Sequence, residues 1–319
     1  CTVFTVCGET TASSYTPCIE QNNHYKIGFA NLGESMPFAV DVRRGLERAV
    51  RQATNIDLVV ADNQLSAEVA LRVAERLIAE RVDLATQYQI DEKVGNLILD
   101  RFKQAGIPVI AVDIPMVGAT FFGVDNYRAG HMAGTYLGRW VQNEWQGQMD
   151  RLVVLAEHRA GALPAARIQG QVDGLQEIVG PIAPDKIVEI ESGNTSEISR
   201  LAMLHLLDEL PGVRHIAVVC FNDDAAYGAL LAARQARREQ DVAIVGQGAD
   251  RLVRDELLQP GCRIIGSTAY WPEQYGARLV DVAQKILRGE AVPPAVYNEH
   301  VFISADNVRD YYPQRGRDT

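Results

Sequence analysis

The sequence predicts an α/β protein of two similar lobes, each a doubly wound parallel sheet, joined by a hinge that several chain segments cross. Three observations carry this. Apolar runs of about six residues alternate with amphipathic stretches of helical period, the pattern of parallel sheets covered by helices on both faces. The runs form two sets of similar length and spacing, one before about residue 126 and one after. Polar side chains gather where the runs end. Asp113 closes PVIAVDI, Asp125 and Asn126 close FFGVDN, Asn222 and Asp223 close AVVCFND, and Gln247 closes AIVGQG. In an open parallel sheet, ligands bind beyond the carboxyl ends of the strands. That rim is suited to a small polar molecule.

Taken in order, the first set of strands is expected at Lys26–Ala30, Ile56–Asp62, Asp83–Tyr88, Pro108–Ile114 and Phe121–Asp125. The second is expected at Leu152–Glu157, Lys186–Glu191, His215–Cys220, Val242–Gln247 and Arg263–Ala269. Helices fill the gaps. Leu65, Val69, Val73 and Leu77 recur every four residues and read as one helical stripe. Tyr275, Leu279, Ala283 and Ile286 make another, with Pro272 near its start and Gly289 past its end. If that last helix returns to the first lobe, the chain divides into a Thr- and Ser-rich tether over 1–23 and two lobes. The first is 24–126 plus about 270–300, the second 127–269 plus about 301–319, with the ligand cleft between them.

At 319 residues the chain exceeds what one ordinary core accommodates. It is 47% hydrophobic and 23% charged, a globular composition. A formal charge of −10 argues against a nucleic-acid partner and against an anionic membrane surface. No run reaches the ~18 apolar residues of a membrane span. The sequence opens on Cys1, which fits either a lipid-modified terminus, and so a lipid anchor, or a boundary that falls on cysteine. Cys7 and Cys18 could close a local disulfide loop, which would imply an oxidising compartment. Cys220 reads as a small core residue and Cys262 sits in a turn. With no C-x-x-C pair and no metal spacing among the histidines, no metal is expected. Gly246-x-Gly248 lacks the third glycine of a dinucleotide fingerprint, Arg251 standing there, and reads as a loop; no cofactor is expected.

In order and spacing, KIGFANLGESMPFAVDVRRGLE, GIPVIAVD, FFGVDNYRAG, PAARIQG, FNDDAAYGAL and STAYWPEQYG resemble the periplasmic sugar-binding proteins of the ribose and galactose type, relatives of the lactose-repressor effector domain. The likeness runs from about Tyr25 to Pro313. It implies the type I periplasmic binding protein fold and a sugar held between closing lobes. Carried over residue by residue, Phe38 stacks on the ring, and Asp113, Asn126, Arg167 and Asn222 bind hydroxyls. Planar groups with two bonding edges suit hydroxyls, which donate and accept at once. Tyr88, Gln247 and Tyr270 complete the candidate rim, with Gln87, Glu157 and His158 as weaker members.

Other roles compete at several of these positions. Phe38 follows Pro37, where a hydrophobic staple would also place an aromatic. Asp125 reads as a helix cap. Of Asn222 and Asp223 one is expected to bind and the other to cap; of Tyr270 and Trp271 one must point away. The chain also departs from the family pattern. Ile114 replaces an arginine, Gly248 an aspartate, and Asn194 stands near an expected aromatic. The resemblance thus implies an extracytoplasmic solute-binding protein of a sugar importer, monomeric and without catalysis, whose partners are a monosaccharide or polyol and a membrane permease. A sugar-sensing receptor subunit or a regulator's effector domain is the alternative; the latter lacks a helix-turn-helix pattern before Tyr25.

Overall fold

The structure, a computed structural model, describes residues 24–313. Cys1, Cys7 and Cys18 lie outside the described residues, and with them the tether, the anchor and the disulfide loop. The first sheet is built from β1 (Tyr25–Asn31), β2 (Ile56–Asp62), β3 (Leu84–Gln87), β4 (Val109–Val112) and β5 (Thr120–Gly123). Helices α1 (Pro37–Gln52), α2 (Ala67–Ala79) and α3 (Glu92–Gln104) connect its first four strands. The second runs through α4 (Asn126–Glu144), β6 (Arg151–Ala156), α5 (Ala162–Val179), β7 (Ile187–Glu191), α6 (Ser196–Glu209) and β8 (Ile216–Cys220). It continues with α7 (Asp223–Gln235), β9 (Val242–Gly248), α8 (Arg251–Leu257) and β10 (Ile264–Ala269). Then come α9 (Pro272–Leu287), β11 (Ala295–Tyr297), β12 (Val301–Ser304) and α10 (Val308–Tyr311).

The two sheets repeat one plan. Strand orders are β11-β5-β4-β3-β1-β2 and β12-β10-β9-β8-β6-β7, every pairing parallel except β10 with β12. The order reverses between β1 and β3 in one sheet and between β6 and β8 in the other, so each has a switch point where a crevice opens. Central strands such as β4, β8 and β9 are buried along their length, which is why they read as unbroken apolar runs. The edge strands β11 and β12, of three and four residues, carry no such signal and are absent from the sequence-based expectation.

The chain passes between the sheets three times: from β5 to α4, from β10 to α9, and from β11 to β12. The crossings are tied together. Asn298 N–H donates to the Gly123 carbonyl at 2.8 Å, and Asp125 N–H to His300 Nε2 at 3.1 Å. Two readings of the sequence need correction. Leu65 does not join the α2 stripe: it precedes the Ser66 cap with φ of 55°, in the left-handed region. Gly246 and Gly248 are strand residues of β9 rather than a loop.

Helices α4 and α5 lie close because both are lined by glycine at the contact. A Cβ on Gly134 would fall 1.9 Å from the Gln171 carbonyl oxygen, and one on Gly130 equally near that of Arg167. Gly134→Ala must therefore push the helices apart. It is expected to destabilise the protein by about 3 kcal/mol, read as a lower urea midpoint at unchanged slope.

Candidate functional site

The carboxyl ends of the central strands of both sheets point into one crevice. From the first lobe, Leu32 follows β1, Tyr88 follows β3, and Asp113 and Ile114 follow β4. From the second, Phe221 and Asn222 follow β8, Gln247 ends β9 and Tyr270 follows β10. Arg167 enters from α5 and Phe38 from the first turn of α1. The cavity between them leaves about 40 Å³ for the centres of water molecules. Phe221 and Ala160, both from the second lobe, are buried in the same apolar cluster as Leu32, Met36 and Ile90 of the first. The lobes are thus closed on one another.

Arg167 is 5% exposed, not part of a solvated helix face. Its Nε and Nη2 donate to Asn126 Oδ1 at 2.9 and 2.6 Å, and Nη1 to the Phe221 carbonyl at 3.1 Å. The guanidinium lies over the rings of Phe221 and Tyr270, 4.4 and 5.4 Å from their centroids. Asn126, expected in the rim, stands behind Arg167 instead and holds it; it is not among the residues lining the cavity.

Asp113 sits at φ of 57° on the turn after β4 and accepts from the Tyr275 hydroxyl at 3.1 Å. Burial raises its pKa to about 6, against the attraction of Arg167 and the hydroxyls of Tyr275 and Tyr88. Asn222, rather than Asp223, caps α7, and it lines the cavity as well. Its Oδ1 caps α7 by accepting from Ala225 N–H at 2.8 Å, while its Nδ2 donates to Asn194 Oδ1 at 2.7 Å. Asp223 lines the cavity too but is consumed by structure, accepting from Ser267 Oγ and from Asp250 N–H. Tyr270 donates its hydroxyl to Gln247 Oε1 at 2.8 Å, and Trp271 turns away to pack on Tyr311 and Tyr312.

Phe38, Tyr88, Asp113, Arg167, Asn222, Gln247 and Tyr270 therefore converge, and Asn126 supports them from behind. Gln87 is fully buried outside the lining, with both side-chain polar atoms unpartnered. Glu157 holds Arg159, and His158 lies exposed between Glu189 and Glu191. Sequence reasoning missed the apolar wall of Leu32, Met36, Ile90 and Phe221, and also Asp224 and Asp250. The F-N-D-D quartet, whose four residues all line the cavity, was the available signal for Asp224. Gly248 has a steric reason: its φ is 128°, and a Cβ there would lie 3.3 Å from the Phe38 ring. The acid absent at 248 reappears two residues on as Asp250, which caps α8 through Val253 N–H.

Residues 27–291 match a family model described as a periplasmic binding protein domain. The ribose import binding protein RbsB of Escherichia coli (strain K12) is 28% identical over 264 residues, 80% of this chain and 82% of that protein. Two solved structures share the fold. One is a periplasmic solute binding protein of an ABC transporter from Actinobacillus succinogenes 130z with bound D-allose. It has a TM-score of 0.77 at 20% identity, over 90% of this chain and all of that one (100%). The other, an ABC transporter solute binding protein from Bacillus halodurans C-125 with bound myo-inositol, has a TM-score of 0.76 at 19% identity, over 92% and 98%.

The raised pKa of Asp113 has a consequence for stability. The folded state holds this proton more tightly than the unfolded chain does. The stabilisation is complete below the ordinary value of 3.8 and is lost as pH climbs to about 6. Asp113→Asn removes that loss. Between pH 4 and pH 7.5 the unliganded variant is expected to lose about 2–3 kcal/mol less than wild type, by urea denaturation at each pH. Parallel pH profiles for the two proteins would contradict this.

Proposed function

This chain belongs to the periplasmic binding protein domain family, and on that premise we propose that it is the extracytoplasmic receptor of a sugar importer. It captures a monosaccharide or polyol between its lobes and presents the closed form to a membrane permease. The observation that carries the proposal is the meeting of strand ends from both lobes on one enclosed, amphipathic cavity. Asp113, Arg167 and Asn222 supply hydroxyl partners, with Gln247 and Tyr270 beside them, while Phe38 and Phe221 offer apolar faces to ring C–H groups. The reading involves no catalysis: these groups serve to bind. It also takes the protein as a monomer, with lobes of 24–126 plus about 270–300 and 127–269 plus about 301–319.

The mechanism is a shift of population. A ligand that touches both lobes favours the closed arrangement by the difference in its affinity for the two states. Micromolar binding requires about 8 kcal/mol net. Hydrogen bonds to charged groups, at roughly 1.5–3 kcal/mol each, reach that figure together with burial of an apolar ring face.

Protein refolded to strip carried-over ligand is expected to gain thermal stability with one class among pentoses, hexoses, sugar alcohols and inositols. A flat response to all four classes would overturn the assignment. With the sugar so found, Arg167→Ala and Asp113→Ala are each expected to weaken binding at least about tenfold by calorimetry, with the fold retained by circular dichroism. Unchanged affinity in both would remove these residues from the site.

A further inference from the structure

The hydroxyl-binding set leaves one lining residue without a role. Asp224, in the first turn of α7, is 7% exposed, yet its carboxylate accepts no hydrogen bond from any described residue. Its neighbours are all employed. Asp223 accepts from Ser267 Oγ and Asp250 N–H, and Asp250 accepts from Val253 N–H. An acid near a helix N-terminus is ordinarily stabilised by the helix dipole while facing water. Asp224 keeps only the cavity side open, so its carboxylate has lost most of its hydration and gained no protein donor in return.

The charge around it makes the position more costly. Asp113, Asp223, Asp224 and Asp250 line the cavity against a single guanidinium, that of Arg167. Arg167 is already bonded to Asn126 and Phe221. The other cation near the cluster, Arg254 of α8, donates to the Ala249 carbonyl and lies over the Tyr312 ring; its charge offsets part of the burial cost at Asp250 but does not act on Asp224. Asp41 of α1, from the opposite lobe, adds further negative potential at Asp250. Burial and the charge of Asp250 raise Asp224 to about 7, and burial with the same charge raises Asp223 well above its ordinary range. Carboxylates that resist ionising together in a closed pocket mark a place short of positive charge.

We propose that the ligand supplies that charge: the site takes a protonated amine on a polyhydroxylated ring, an amino sugar or aminocyclitol. Its ammonium sits against Asp224 and Asp250, and its hydroxyls engage Asp113, Arg167 and Asn222. An ammonium has three donors and no acceptor, which matches a corner offering carboxylate oxygens. This inference rests on the sugar-receptor reading and sharpens its substrate class. A hydroxyl-free amine would leave Arg167 and Asn222 without their partners, so both halves of the ligand are required.

The test is calorimetry at pH 7 with matched probes: D-glucose, D-glucosamine and N-acetyl-D-glucosamine; the corresponding galactose set; and myo-inositol with an amino-deoxy inositol. Putrescine serves as the hydroxyl-free amine. At least one amine is expected to bind about tenfold or more tightly than its neutral and acetylated twins. Asp224→Asn is expected to shrink that advantage to under about threefold while moving the neutral twin less. The wild-type comparison stands without the variant if the variant misfolds. Neutral twins binding as tightly as the amines would overturn the inference and leave the sugar receptor standing. Putrescine binding alone would overturn both; silence from every probe would overturn the inference, the receptor reading being decided by the pentose and sugar-alcohol arms of the thermal-stability screen.

Discussion

The cleft is organised around one buried guanidinium. Arg167 cannot leave its position without stranding Asn126 Oδ1 and the Phe221 carbonyl, and its charge is what keeps Asp113 from being still harder to ionise. It can occupy that position only because α5 lies against α4 at glycine separation. Asn126, the first residue of α4, also marks the first crossing between the sheets. Helix packing, hinge and binding chemistry therefore meet at one side chain. A lysine, with a point charge on a flexible stem, would not reproduce the fork or the stacking between Phe221 and Tyr270.

The remaining polar groups are held in states that cost stability. Asp113 is displaced toward a neutral acid, Gln247 Nε2 has no partner, and Asp224 accepts from nothing described. Such groups recur at binding sites because their unmet demand becomes selectivity when the right ligand arrives. The closed lobes intensify this by replacing water with Phe221, Met36 and Ile90 around the same groups.

Much of the architecture was legible from the chain because it rests on local periodicity. The buried strands announce themselves as apolar runs, and α9 as a stripe through Tyr275, Leu279 and Ala283 between Pro272 and Gly289. The short edge strands β11 and β12 were not, since three or four residues cannot show a period. Leu65 mimicked the α2 spacing because periodicity is blind to the sign of φ. At the site, strand-end polar residues were found by position. Which of them face the ligand depends on side-chain geometry. Asn126 turned behind Arg167, Asn222 capped a helix and lined the cavity together, and Asp224 went unread because an acid in a first helical turn carries no signal of facing a cavity. The apolar wall was hidden because it is assembled across the lobes, Phe221 of the second meeting Leu32, Met36 and Ile90 of the first.

Gly248 constrains how this pocket can change over generations. Any side chain there must adopt a backbone angle that L residues rarely take, and its first carbon would already press on Phe38. An aspartate of the family kind cannot be regained at 248 by one substitution without penalty. Phe38 would have to shift by a few tenths of an ångström, against its edge-on packing on Tyr270 and Tyr275. The two costs are separable: a smaller residue at 38 relieves the contact but leaves the backbone angle at 248 unchanged. The acid at 250 avoids both costs: a carboxylate placed two residues later reaches the cavity and leaves the aromatic corner intact.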